Sequence, residues 1–413
     1  MSSSEPQLRP PHAARAAAAL SRAWLTAVLA ALMGFAAIST DLYLPAMPTM
    51  ARALNADQTV MQWTISSYLI GLSLGQLFWG PIGDRFGRRA PIALGLVLFM
   101  ASSIGCALST NGWHVLFWRA AQSLGACAGV VLSRAMVRDL YGGDRAAQML
   151  SSLMTVMAVA PLIAPLIGAQ ILVHASWRAV FWTLAAFGAA SFAAIYTLPE
   201  TLPPERRNRE PLTRAMGGYL TLLRERSVLG YAGACAFLYG GMFAYIAGAP
   251  FAYIDHFGVS PAQFGLLFGA GGLAIMATNF INARLVMRWG GVRLLRIGAG
   301  VAAIAGLIAI INSMTGFGGL VGLFAPLLAF VGMNGLIVAN AVSGAMERFP
   351  ERAGAASALL GALQYGAGVV GAGFVGAFAD GTPRPMTWAV ALAGLGVAAC
   401  AATIAPRARK PGF

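Results

Sequence analysis

Between Gly80 and Arg89 the chain reads Gly-Pro-Ile-Gly-Asp-Arg-Phe-Gly-Arg-Arg, four charges set between two apolar runs, Met61 to Trp79 and Pro91 to Leu108. Each run holds close to the roughly 20 residues that a helix needs to cross a bilayer. A charged hairpin joining two such runs belongs at a membrane surface, so the chain reads as an integral membrane protein. Windows of about 19 residues extend the pattern to twelve predicted spans, near 23–45, 60–80, 91–110, 114–136, 148–172, 178–198, 227–252, 262–284, 294–313, 318–344, 354–378 and 386–405. The expected fold is all-α and membrane-embedded, with no soluble domain of useful size.

A net charge of +14 would point a soluble chain toward nucleic acid, so the placement of the positive residues decides its meaning. With the N-terminus inside, 24 of the 28 lysines and arginines fall on the inside, among them Arg85, Arg88, Arg89, Arg134, Arg138 and Arg145. Arg52, Arg178 and Arg384 fall outside, and Arg119 lies within a span. The positive-inside rule then puts both termini in the cytoplasm and removes the need for a nucleic-acid partner. Cys106, Cys127, Cys235 and Cys400 all sit in apolar runs without a Cys-x-x-Cys pair, so neither a disulfide framework nor a metal site is expected. Residues 1–22 lack the pattern of a signal peptide and read as a polar, basic, disordered cytoplasmic tail.

The longest polar stretch, from Leu198 through the prolines and charges that follow it, separates two blocks of six spans. It divides the chain into an N-terminal bundle over 23–198, a cytoplasmic loop over 199–226, a C-terminal bundle over 227–405 and a tail over 406–413. Arg288-Trp-Gly-Gly after the eighth span faintly echoes Asp84-Arg85-Phe-Gly87 after the second, without the acid. Two parallel six-helix repeats around a midplane cavity describe a major facilitator fold.

The Gly80–Arg89 hairpin resembles the loop signature of the major facilitator superfamily. Four further segments are similar to its bicyclomycin-resistance (Bcr/CflA) drug:proton antiporters: Asp41-Leu-Tyr-Leu-Pro-Ala-Met-Pro48, Arg119-Ala-Ala-Gln122-Ser-Leu-Gly125, Ala160-Pro-Leu-Ile-Ala-Pro-Leu-Ile-Gly168 and Glu200-Thr-Leu-Pro-Pro-Glu-Arg-Arg207. The resemblance covers nearly the whole chain, with its sharp motifs in the first half. It implies export of small amphipathic drugs across the bacterial inner membrane, driven by the proton-motive force with no cofactor.

Of the 14 acidic residues only Asp41 lies clearly within a predicted span. A carboxylate in hydrocarbon surroundings is costly when charged, which suits a site that loads and releases a proton; plain helix-end capping before Pro45 is the competing reading. Arg119 is the one cation within a span, five residues from a short outer turn, about 8 Å deep at a 1.5 Å rise per residue. It lies at a depth comparable to Asp41, so the two could pair. A static salt bridge and snorkelling to the surface are the alternatives. The resemblance also gives Arg119 a part in proton coupling, and Gln122, one turn further in, could extend the polar path.

In the hairpin, Gly80, Gly83 and Gly87 permit a tight turn and close helix approach, while Arg85, Arg88 and Arg89 also enforce topology. The resemblance implies that Asp84 meets the start of the eleventh helix near Ala353-Gly354, that Arg88 pairs with Asp139, and that these contacts latch an outward-open state. Pro161 and Pro165 each remove a backbone donor and, with Gly168, should kink or thin the fifth helix into a gate. The second half has no charge deep within a span and reads as a substrate wall. Tyr239, Tyr245, Asn340, Gln364 and Tyr365, with Tyr43, Trp63, Tyr68, Met154 and Met157 from the first half, are the candidate cavity residues. Asp255 and His256 read as a solvated loop.

An ATP-driven pump is excluded by the absence of any Walker-type loop, since the only lysine is Lys410. No grouping of nucleophile and base suggests an enzyme. The expected protein is a monomeric transporter whose partners are drug, protons and lipid; a transporter of an endogenous thiol compound or peptide is the alternative.

Overall fold

The computed structural model describes residues 22–141, 143–207, 226–346 and 353–404, and the expectations for the N-terminal tail, most of the central loop and the C-terminal tail lie outside them. Among the described residues the chain is helical throughout, with no strand. Twelve spanning elements follow in order: α1 (Arg22–Asp41), α2 (Gln58–Phe86), α3 (Arg89–Ala107), α4 (Gly112–Leu140), α5 (Gly143–His174) and α6 (Trp177–Ile195) in the first half. The second half holds α7 (Arg226–Pro250), α8 (Pro261–Trp289), α9 (Gly291–Thr315), α10 in two pieces (Gly319–Gly332 and Asn334–Met346), α11 (Ala353–Ala377) and α12 (Arg384–Thr403).

Ten of these are long and apolar enough to cross a membrane on length and composition, among the described residues. The other two are α5, whose apolar described part is Val159–His174, and α2. In α2, Gln62, Thr64, Ser66, Ser67 and Gln76 are all buried. The helix tolerates them because α4 covers it on one side and α11 on the other, so its polar groups face protein and not lipid.

Local sequence sets the ends. Asn111 caps α4 by accepting from the His114 N–H at 2.9 Å, and Ser260 with Gln263 closes a capping box on α8. Gly87 ends α2 with φ 92° and Gly290 ends α8 with φ 80°, conformations that only glycine adopts cheaply. The faint repeat between the two hairpins is therefore a repeat of backbone geometry. Beyond Asp41, α1 gives way to a tight turn at Leu44–Ala46 and a short helix, Met47–Ala53, where Pro45 and Pro48 sit at the first positions. The apolar segment nevertheless runs on from Ala23 to Ala53.

Two seams join the halves: α2 lies along α11, and α5 lies along α8. In the first, Trp63, Ser66 and Ser73 of α2 donate to the main-chain carbonyls of Gly373, Val369 and Ala362, the last at 3.0 Å. In the second, Leu162 and Leu166 of α5 rest on Gly265, Gly269 and Gly272 of α8, the small-residue packing that membrane helices use for close approach. Pro161 and Pro165 lie within a continuous α5 helix, which runs through both.

Candidate functional site

Polar groups buried in the first half gather around Arg119, which is 0% exposed, seven residues into α4. Its Nη1 donates to the Ser39 carbonyl at 3.0 Å and to Gln122 Oε1 at 2.7 Å. Gln122 passes the chain on by donating to Ser103 Oγ at 2.7 Å. The guanidinium lies between two aromatic rings, its Cζ 4.3 Å from the centre of Tyr43 and 4.0 Å from that of Tyr68. Both rings are fixed by their hydroxyls, Tyr43 on Thr64 at 2.6 Å and Tyr68 on Ser39. Cation–π contact of this kind stabilises a desolvated arginine, yet Nε and Nη2 of Arg119 have no hydrogen-bond partner.

Asp41 does not supply that partner. Arg119 bonds the main-chain carbonyl of Ser39 and lies over the ring of Tyr43, which stands beyond the end of α1, and no ion pair joins it to Asp41. The expected Asp41–Arg119 pair is therefore corrected: the ion pairs of the structure are Arg52–Asp255, Arg88–Asp84 and Arg88–Asp139, among the described residues. Asp41 is 5% exposed and caps a stripe with Gly34 and Ile38. A Cβ on Gly34, itself buried, would meet only Ile38 within 4 Å, so no other helix packs tightly on that stripe at Gly34. The acid and the arginine are linked through the short backbone segment between Ser39 and Tyr43, which Arg119 contacts at both ends.

At the arginine-rich end, Arg88 pairs with Asp139 at 2.8 Å, as the resemblance implies, and also with Asp84 at 2.7 Å. The proposed meeting of Asp84 with Ala353-Gly354 lies outside the residues whose side chains are described. Glu200 has no role that its motif alone reveals. Glu200 accepts from the backbone N–H groups of Arg88 at 2.8 Å and Arg89 at 3.1 Å, placing a carboxylate on the positive end of α3. Thr201 beside it donates to Asp139, so the end of α6 braces the hairpin. Glu200→Gln is expected to cost about 1 to 2 kcal/mol of stability, read as a lower unfolding temperature in detergent; an unchanged midpoint would remove this role.

At the opposite end the halves are closed. Asp255, read from sequence as part of a solvated loop, belongs to a π-helical turn, Phe251–His256, that continues α7. It accepts from Arg52 of the first half at 2.9 Å. The pair is exposed and weak in energy, so its use is as a marker of closure. Cysteines replacing Arg52 and Asp255, joined by a short bifunctional thiol reagent, are expected to stop transport until the link is cleaved; full transport by the linked protein would show that this end need not open. The Arg88–Asp139 pair forms with this end shut, so it is not confined to the state open on that side.

The cavity candidates separate. Tyr43 and Tyr68 are buried against Arg119, and Trp63 belongs to the α2–α11 seam. Tyr245 stacks on Phe268, with ring centres 5.7 Å apart, and is packing. Asn340 donates to Asn282 at 2.6 Å and is likewise not a cavity group. Tyr239, Gln364 and Tyr365 remain partly exposed near the middle of the second half. Met154 and Met157 lie in α5 outside the residues whose side chains are described.

The Major Facilitator Superfamily model matches residues 28–372. The chain belongs to that superfamily. It is 31% identical to the bicyclomycin resistance protein homolog of Haemophilus influenzae, over 84% of this chain and 87% of the relative, and 30% identical to multidrug resistance protein D of Escherichia coli over the same shares. An uncharacterized MFS-type transporter of Bacillus subtilis, YdgK, is 38% identical over 81% of this chain and 85% of its own. Among solved structures, the xylose transporter XylE of E. coli in a partially occluded inward open conformation superposes with a TM-score of 0.73, 15% identity, and 94% and 99% of the two chains covered. That likeness concerns the fold, and it agrees with two six-helix halves as expected.

Proposed function

We infer that this major facilitator protein exports small amphipathic drugs of the bicyclomycin, chloramphenicol or sulfonamide kind, exchanging them for protons by alternating access. It does so as a monomer in the bacterial inner membrane with both termini cytoplasmic, so that the arginine-rich end faces the cytoplasm. The observation that carries the reading is Asp41: a buried acid that joins no ion pair among the described residues, on the α1 stripe where a Cβ at Gly34 would meet no other helix within 4 Å. Resistance proteins among the relatives support the substrate class. A lone carboxyl at the closed end of such a face can hold a proton while that end is sealed and exchange it when the end opens, and Arg119, which contacts the same segment, offers two open donors to whatever carries negative charge nearby.

Asp84, Arg88, Asp139 and the hairpin glycines serve this cycle as a brace at the cytoplasmic end, and Pro161, Pro165 and Gly168 serve the α5 seam. The test is proton release from purified protein in proteoliposomes as bicyclomycin, chloramphenicol, a sulfonamide and a cysteine dipeptide are added in turn. Release on adding one of the first three is the expected result. Release with the dipeptide alone, or silence across the series from folded protein, overturns drug export.

A further inference from the structure

Arg134 counts by sequence among the arginines of the inside end, at the edge of the predicted span near 114–136. The structure places it within α4, six residues before the last, Leu140, about 9 Å inside the helix end at 1.5 Å per residue. Its Nε is buried without a partner, and among the described residues no hydrogen bond, ion pair or ring contact engages its side chain. Nearby arginines are treated differently: Arg88 has Asp84 and Asp139, and Arg119 has two rings and two hydrogen bonds. Leaving a guanidinium partly desolvated and unpaired is costly, and packing gives no reason for it here.

Arg134 reaches Cys127 on its own helix and two tyrosines of the other half. It is close enough to Tyr239 of α7 and Tyr365 of α11 for its charge to act on both hydroxyls. These two rings meet edge to face at 6.2 Å, and Phe243 completes the group at 6.1 Å from Tyr239 and 6.2 Å from Tyr365. All three rings are partly exposed, unlike the sealed tyrosines around Arg119. Asp139, the acid on the same helix, is already held by Arg88 and Thr201.

We propose that Arg134 and the Tyr239–Phe243–Tyr365 group form a substrate subsite for an aromatic compound carrying an anionic or strongly hydrogen-bond-accepting group, such as a carboxylate, nitro or sulfonyl. The proposal rests on the export reading above and adds to it a polarity of selection. The substrate ring fits edge to face among the three aromatics, and its acceptor group satisfies the guanidinium fork in the planar geometry that arginine favours. A compound lacking that group leaves the partly buried guanidinium unpaired, the kind of arrangement that discriminates strongly. A cationic ring is repelled.

The experiment uses the full-length protein in proteoliposomes and three probes on one frame: 1-naphthoate, 1-naphthamide and 1-naphthylmethylamine. Each competes with the uptake of whichever drug the proton-release series identifies, in wild type, Arg134→Gln, Arg134→Lys and Tyr365→Leu. Wild type is expected to take the carboxylate at least about ten-fold better than the amide, the scale of one charge-assisted hydrogen bond, and the amine worst. Arg134→Gln brings carboxylate and amide together without weakening the amide, Arg134→Lys keeps part of the preference, and Tyr365→Leu weakens all three alike. An unchanged preference in Arg134→Gln, or a wild type that favours the amine, overturns the subsite while leaving export intact. Failure of every drug in the proton-release series strikes the export reading instead, and probe binding in detergent by Arg134→Lys and wild type still decides the subsite. Equal weakening of all three probes in Arg134→Gln assigns Arg134 to packing.

Discussion

Reconstituted Asp41→Asn is expected to bind drug as wild type does, to exchange it down its own gradient, and to release no proton when drug is added. Asparagine matches aspartate in shape, and Asp41 makes no ion pair among the described residues whose loss would disturb α1. Burial makes the neutral amide no worse a neighbour than the acid, since an unpaired charge in such a place is costly. What the amide cannot do is take up and give back a proton, so the coupled reaction falls to background while the uncoupled one survives. Arg119→Lys provides the contrast: a lysine keeps the charge but loses the planar contact with the Tyr43 and Tyr68 rings, so it is expected to lower both reactions together. Uphill transport by Asp41→Asn, or its absence from the membrane, would falsify the assignment of Asp41 as the proton carrier.

The second large effect is steric. A Cβ on Gly168 would lie 1.9 Å from the carbonyl oxygen of Leu42 and 2.8 Å from its carbon, well inside any real contact. The obstacle is backbone, so no side chain can turn aside, and α5 must move away from α1 beside Asp41. Gly168→Val is therefore expected to cost at least the 1 to 3 kcal/mol typical of overpacking, and to show as loss of folded protein in detergent together with loss of transport. Gly300 in α9 supplies the control, since a Cβ there meets nothing within 4 Å, and Gly300→Val should stay near wild type. Equal unfolding temperatures for the two variants would mean that α1 and α5 are not in close contact in the membrane.

These two expectations draw on different kinds of legibility. That Asp41 is an isolated acid in a span could be seen from the run of apolar residues around it, and the twelve spans and two halves followed from run length and one polar interruption. The hairpin charges were placed correctly between spans two and three, and the Arg88–Asp139 pair was anticipated through resemblance. Which face of each helix meets which neighbour was not visible. In a membrane protein nearly every face is apolar, so periodicity does not separate a buried side from a lipid side. For that reason composition offers Tyr245 and Asn340 as cavity groups although they pack between helices, and depth alone matches Arg119 to an acid with which it makes no ion pair. Glu200 and Asp255 were missed because their partners, the amides of α3 and Arg52, are far away in the chain.

The seam between α2 and α11 has a further property. Its polar bonds run from side chains of α2 to main-chain oxygens of α11, and every residue type carries such an oxygen. The two partners are therefore under unequal obligation. Serine and tryptophan must persist at their places on α2, whereas α11 can exchange its own side chains, including Gln364 and Tyr365, without breaking the joint. A lineage of such proteins can thus alter what it expels by redrawing one helix while the moving parts stay as they were.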